Sequence, residues 1–191
     1  MLKKERYNDE RAIKKGNSLM LKKVIKEAFP TVLAFTMSGM YSIVDGIFVG
    51  KAAGDTGLAA INIAWPIPAL ITALGIGIGT GGSVLYSHYR GRGEQKVCEN
   101  LFELTMTFLI GTGILATILL SLVQKPFLEI LGAAGSVQTE AIKYTAIIIA
   151  GSILQVAGTG IMPLLRNMNQ SLGAMLSMAA GFAVNILVNY Y

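Results

Sequence analysis

The stretch AFPTVLAFTMSGMYSIVDGIFVG, residues 28–50, decides the fold class because it is long and almost uncharged. Asp45 is its only charged side chain in a run of roughly two dozen residues, and about 20 apolar residues are enough to span the hydrocarbon core of a bilayer. Further uncharged runs follow along the chain at 56–87, 104–124, 144–165 and 167–191. We therefore predict an all-α membrane protein with about five transmembrane helices.

The overall composition agrees with a membrane protein. Hydrophobic residues make up 53% of the chain and charged residues 14%, whereas soluble domains carry about 25% charged residues. A single cysteine, Cys98, excludes an internal disulfide, and a single histidine, His88, cannot form a metal site alone. No nucleophile and base are arranged as catalysis requires, so we expect neither an enzyme nor a cofactor or metal.

The distribution of basic residues predicts the orientation of the helices. Nine of the sixteen Lys and Arg precede residue 27, and Arg90, Arg92, Lys96 and Arg166 fall in loops on the same side. The opposite side receives Lys51, Lys125 and Lys143. Because cytoplasmic loops carry the excess of Lys and Arg, we predict a multi-pass protein of the plasma membrane with a cytoplasmic N-terminus.

The basic tail ends in an amphipathic segment. Within LKKVIKEAF, residues 21–29, apolar side chains recur at helical spacing and lysines occupy the other face. We interpret residues 1–27 as a cytoplasmic tail with an interfacial helix on anionic lipid, not on nucleic acid. Pro30 then suits the first turn of the first span. A second short helix on the outer surface, or an ordinary loop, is predicted from Pro126 to Gly132.

Two features of the second run concern its backbone. GIGTGG, residues 77–82, matches a dinucleotide-binding pattern, but it lies within an apolar run and not after a strand. We interpret Gly75, Gly77, Gly79 and Gly81 as small residues that let helices pack closely in lipid. In AWPIPAL, Pro66 and Pro68 predict a kink, and Trp65 is either a membrane-interface anchor, which we favour, or an aromatic wall for a ligand.

Asp45 is the most informative residue, because an ionisable group inside a membrane is costly and usually functional. A carboxylate removed from water favours its protonated form, so Asp45 could exchange a proton near neutral pH, or hold Na⁺ among neutral oxygens. Alternatively, Asp45 lies near the helix end within reach of water. In the fifth run, Asn185 and Asn189 are four residues apart and share a helix face. Their amides could bind the carboxylate or a cation, or hydrogen-bond another helix.

Several segments together resemble the multidrug and toxic compound extrusion (MATE) transporters. The residues that carry the resemblance are FPTVLAFTMSGMYSIVDGIFVGKAAGDTGLAAINIAWPI, then YRGRGEQK, PFLEILGA, PLLRNMNQSLGAM and GFAVNILVNYY. The order and spacing of this set are specific, although no single motif is. The resemblance extends over residues 29–191 and leaves the tail outside.

The resemblance implies a fold of twelve helices in two six-helix lobes, of which residues 28–191 form helices 1–5 of the N-terminal lobe. It also implies export of small cationic or amphipathic compounds by alternating access, driven by inward flow of H⁺ or Na⁺. Asp45 falls at the position of the coupling carboxylate and Asn185 at that of its partner, a possible Na⁺ site. Many relatives have an aspartate where this chain has Asn189, which favours protonation of Asp45 over Na⁺ chelation. We predict that Met37, Tyr41 and Trp65 line the substrate cavity.

Other functions remain open at the level of sequence. A related flippase would move lipid-linked saccharides, although the spans hold no Lys or Arg at depth, which favours cationic cargo. A non-transporting membrane protein would only associate with other helices. Expected partners are the lipid bilayer, small organic cations and a second six-helix lobe.

Overall fold

The computed structural model describes the backbone of residues 2–190. This part of the chain contains six secondary-structure elements, and all of them are helices. They are α1 (Leu2–Ala64), α2 (Pro66–Gly91), α3 (Gln95–Ile130), α4 (Gly135–Ala150), α5 (Ser152–Asn167) and α6 (Ser171–Tyr190). Side chains are described from Met20 onward, except at Lys23, Glu27, Ala34, Ser38, Tyr41, Ser42, Asp45, Val49, Ala52, Ala53, Asn185 and 188–191. The predicted all-α class is confirmed.

Helix α1 is longer than the first predicted span. It runs through Pro30 without a break, so the amphipathic segment and the span form one helix. The helix start predicted at Pro30 is therefore wrong, since a proline inside a helix removes one hydrogen bond and need not interrupt the helix. The break comes instead at Gly54, whose φ of 59° and ψ of −156° lie outside the helical region. Only glycine adopts this conformation readily, so Gly54 separates the first predicted span from the start of the second.

The predicted kink at AWPIPAL coincides with the junction of α1 and α2 at Trp65, whose φ of −47° and ψ of −37° stay in the helical region. Helix α1 ends at Ala64, Trp65 forms a turn, and α2 begins with Pro66 at its first position. Neither Pro66 nor Pro68 has a backbone N–H to donate to the preceding turn, which explains the end of α1, while both suit the first turn of α2.

The remaining helices differ from prediction at two places. Helix α3 continues through Pro126 to Ile130, and Gly132 follows with a φ of 93°. The separate helix predicted from Pro126 to Gly132 is therefore the last part of α3, although its predicted end at Gly132 is correct. The fourth predicted span is two helices, α4 and α5, which bend by 59° at Gly151.

Helices α2 to α5 form the core. Helices α2, α3 and α5 pack against one another, α3 also packs against α4, and α1 packs against α4 and α6. The largest fully buried apolar side chains come from α2, α3 and α5: Ile67, Ile71, Leu109, Leu128, Val156 and Leu164. After Gly54, α1 adds Ala60 and Ala64 to this core.

Many apolar side chains point away from the core, as expected for a surface in contact with lipid tails. Ile130, Leu154 and Ile147 are 76–82% exposed. Within the described residues, α2 and α3 are long and apolar enough to cross a membrane, and α4 with α5 would count as a third, bent span. The first and fifth predicted spans lie in α1 and α6, which are only partly described, so the number five stays a prediction.

Candidate functional site

The helices that carry the predicted coupling residues are neighbours. Asp45 lies in α1, Asn185 and Asn189 lie in α6, and these two helices pack against each other. The side chains of Asp45, Asn185 and Asn189 are outside the described residues. The structure therefore brings the two helices together, and the pairing of carboxylate and amides stays a prediction.

The residues predicted to line a substrate cavity are spread along α1 and its end. Met37 is half-buried within α1, and the side chain of Tyr41 is outside the described residues. Trp65 is 60% exposed at the junction of α1 and α2. An exposed indole at a helix break is the geometry that a membrane-interface anchor requires, although the role of Trp65 stays a prediction.

Two glycines, Gly75 and Gly79, serve helix packing on one face of α2. Gly75 and Gly79 are buried against α5, and a Cβ atom built on Gly75 would lie 2.6 Å from the carbonyl oxygen of Val156. A Cβ on Gly79 would strike the backbone of Gly160, whereas Gly77 and Gly81 meet no atom within 4 Å. The predicted close packing is thus confirmed for one of the two glycine pairs.

Part-buried contacts between polar side chains bridge the core helices at four places. The Asn167 amide donates to the Ser83 hydroxyl at 2.9 Å, the Gln155 amide to the Thr72 hydroxyl at 2.9 Å, and the Gln124 amide to the Thr145 hydroxyl at 2.6 Å. The hydroxyls of Thr117 and Ser152 lie 2.6 Å apart. Every fully buried polar side-chain atom in the described residues has a partner, so the interior is held together by satisfied hydrogen bonds.

The bend between α4 and α5 is fixed by one of these bridges. Ser152, directly after Gly151, is completely buried and also lies 3.4 Å from the carbonyl oxygen of Gly113 in α3. A Cβ on Gly113 would lie 2.7 Å from the Cα of Ile153. Close backbone approach and a hydroxyl pair therefore hold the bend against α3.

A cavity of about 270 Å³ opens beside the turn between α2 and α3. Its walls combine apolar side chains with one amide and two carboxylates: Tyr86, Cys98, Phe102, Met168, Gln95, Glu99 and Glu103. Sequence reasoning missed this cavity because α2, α3 and the end of α5 contribute to it from distant parts of the chain. The only signal in the sequence is the i, i+4 spacing of Glu99 and Glu103, which places the two carboxylates on the same face of a helix.

The described side chains also include no group of three or more His, Cys, Asp or Glu residues that could hold a metal ion. The side chains of Asp45 and Asn185, the predicted Na⁺ site, lie outside the described residues.

A comparison with protein families identifies the family of this helical chain. The family model described as MatE matches residues 30–191, which is most of the chain. The chain belongs to the MatE family. The match begins at Pro30 and leaves the basic tail outside, as the sequence resemblance does.

Solved MATE structures share the fold. A MATE crystal structure in complex with MaL6 superposes with a TM-score of 0.82 at 25% identity, covering 87% of this chain and 37% of its own. A MOP-superfamily transporter from Pyrococcus furiosus, described as having a binding pocket of reverse polarity, gives 0.77 at 23% identity, covering 87% and 36%. A comparison with curated proteins found no significant match. This MATE chain therefore spans just over a third of the length of the structures it matches.

Proposed function

We propose that this MATE chain acts in a cation-coupled antiporter that exports small cationic or amphipathic compounds by alternating access. Membership of the family supports transport as the general activity. The observation that carries the proposal for coupling is the packing of α1 against α6. These are the helices on which Asp45 and the Asn185–Asn189 pair occur.

In the proposed mechanism, Asp45 alternates between a charged and a neutral form. Binding of H⁺ removes the cost of a charge at membrane depth, so α1 and α6 adopt a different packing. Loss of the ion restores the charge, which then favours an organic cation in the cavity. Asn185 orients the carboxylate and Asn189 extends the polar patch, while Na⁺ is the alternative coupling ion.

The expected cargo follows from the charge of the membrane-embedded surface. Residues 66–87 of α2 and 97–124 of α3 contain no Lys or Arg. A cavity bounded by such helices has no fixed positive charge to repel an organic cation or to bind an anionic one. We propose the plasma membrane as the location, with a cytoplasmic N-terminus, and the bilayer and a second six-helix lobe as partners.

The proposal is tested with the chain reconstituted in vesicles, alone and with a second MATE lobe. Vesicles receive a pH or Na⁺ gradient, and movement of ethidium is followed by fluorescence. We expect gradient-driven flux that Asp45→Asn abolishes at unchanged protein content. The matched control is Asp55→Asn, which removes an exposed carboxylate after the Gly54 break and should leave flux unchanged.

Three results would contradict the proposal. If Asp45→Asn moves ethidium at the wild-type rate, Asp45 is not the coupling residue. Movement of an anionic lipid-linked saccharide in place of ethidium would indicate a flippase. No ion-coupled flux at any protein concentration, with or without the second lobe, would indicate a non-transporting membrane protein.

A further inference from the structure

The cavity between α2, α3 and the end of α5 has the chemistry of a binding site for an organic cation. Tyr86 and Cys98 form its buried wall, since they are 8% and 1% exposed. Phe102 and Met168, both half-buried, add apolar surface. Glu99 and Glu103 stand at the exposed side. A mostly apolar concave site with a few charged groups is typical of small-molecule sites.

The two carboxylates lack partners within the described part of the chain. Neither Glu99 nor Glu103 forms an ion pair or a side-chain hydrogen bond there. Like charges four residues apart on a helix repel each other. A cation placed between them would relieve that repulsion.

The nearby basic side chains are engaged elsewhere or not in contact. The Arg90 guanidinium lies 3.4 Å from the backbone oxygen of Asn167, and the Arg92 guanidinium lies 6.0 Å from the ring centroid of Tyr89. Lys96, one turn before Glu99, is exposed and forms no ion pair with it. The negative charge of the cavity therefore remains uncompensated by direct contact.

Tyr86 gives an independent indication of a ligand. It is more than nine-tenths buried, yet its hydroxyl has no hydrogen-bond partner among the described residues. Fully buried polar side-chain atoms in that part of the chain all have partners, so this hydroxyl must meet open space. Tyr86 lines the cavity, and we infer that its hydroxyl reaches this space.

We propose that this cavity binds small organic ammonium ions, with the charge at Glu99 and Glu103 and the apolar body against Tyr86, Phe102 and Met168. Aromatic faces attract ammonium groups, and carboxylates form strong charge-assisted hydrogen bonds with them. A bare metal ion would gain nothing from the apolar wall. The site is distinct from Asp45, which lies in α1.

The role of the site rests on the proposed export function and orientation. The cavity adjoins the turn between α2 and α3, which the basic loop residues place on the cytoplasmic side. An exporter collects its cargo from that side. The cavity is therefore a first binding site at the cytoplasmic surface, where organic cations concentrate before they reach the membrane-embedded cavity.

Binding is measured by calorimetry with the full chain in nanodiscs of zwitterionic lipid, using benzylammonium as the probe at pH 7. Benzyl alcohol has a similar shape and no charge, so we expect it not to compete. The double variant Glu99→Gln/Glu103→Gln should weaken benzylammonium binding at least about tenfold, because the charge-assisted hydrogen bonds are lost. Tyr86→Phe should weaken it by a smaller factor.

The control is Glu94→Gln, which removes one carboxylate near the cavity that does not line it and should leave binding unchanged. Raising ionic strength from about 0.01 M to about 1 M shortens the Debye length from about 30 to about 3 Å, and should weaken binding to the unaltered chain. The ionic-strength measurement uses the unaltered chain, so it does not depend on whether a variant folds.

Some results would overturn the proposal: no benzylammonium binding, equal binding by the double glutamine variant, or an equal loss in Glu94→Gln. The two proposals fail separately, because Asp45→Asn should abolish ethidium flux while benzylammonium binding at this cavity persists. If ethidium flux is intact but benzylammonium does not bind at the cavity, only the proposal of a cytoplasmic binding site is contradicted.

Discussion

Helices α2–α5 and the pair α1 and α6 are held by different kinds of contact. In α2–α5, backbones touch at glycines and four polar bridges connect neighbouring helices. In α1, no described residue before Gly57 is buried, and in α6 the buried described residues are Ser171 and Ala174. Segments with few buried contacts rearrange at lower free-energy cost than a close-packed core. This difference in burial is the basis on which we propose a fixed bundle beside a helix pair that repacks.

The largest expected effect is at the glycine contact that locks α2 to α5. Gly79→Ala places a Cβ against the backbone of Gly160, so it should lower the free energy of unfolding by about 3 kcal/mol, the upper range for overpacking. The control Gly77→Ala adds the same group on the open face and should cost nothing. Unfolding in mixed detergent, followed by circular dichroism, measures both; equal losses would break the proposed difference between the two faces.

The second-largest change in the free energy of unfolding is expected at Gly54, where α1 is interrupted. At a φ of 59° and ψ of −156°, a Cβ is strained, so Gly54→Ala should cost about 1–3 kcal/mol or straighten the chain there. Gly39→Ala is the control, because Gly39 is helical and meets no atom within 4 Å. The same unfolding measurement compares them. If Gly54→Ala is as stable as Gly39→Ala, the break between the two parts of α1 is not required by the fold.

A polar bridge in the bundle should contribute less. Gln155→Leu removes the hydrogen bond to Thr72, and interhelical hydrogen bonds in membranes contribute about 0.6 kcal/mol on average. Gln138→Leu is a matched change, because the bond from Gln138 to Glu129 is exposed, and should cost less. The difference between the two unfolding free energies is the test, and a larger loss for Gln138→Leu would contradict the greater contribution of the part-buried bridge within the bundle.

A similarly small effect is expected where the bundle meets α1. The Arg166 guanidinium lies 4.9 Å from the ring centroid of Phe35, and exposed cation–π contacts contribute about 0.5–1 kcal/mol. A double-mutant cycle with Phe35→Leu and Arg166→Gln should give a coupling energy in that range. A coupling above about 2 kcal/mol would show that α1 is held more firmly than the comparison between the two regions implies.

The sequence predicted most helices because long uncharged runs and prolines act locally. The break at Trp65 followed from Pro66 and Pro68, whereas the bend at Gly151 lies within one apolar run and depends on a hydroxyl in α3. Spacing predicted two glycine pairs, Gly75 with Gly79 and Gly77 with Gly81, but neither which pair packs nor its partner Gly160. The cavity at Tyr86 was not predictable, because its walls are assembled by tertiary packing.

The central claim is that the α1–α6 pair couples ion and cargo at Asp45 while the bundle stays fixed. Proton release on adding ethidium tests it most directly, with the purified chain in nanodiscs and a pH indicator in weak buffer. We predict release by the unaltered chain, none by Asp45→Asn, and unchanged release by Glu99→Gln/Glu103→Gln at saturating ethidium. Equal release by Asp45→Asn and the unaltered chain would contradict the claim.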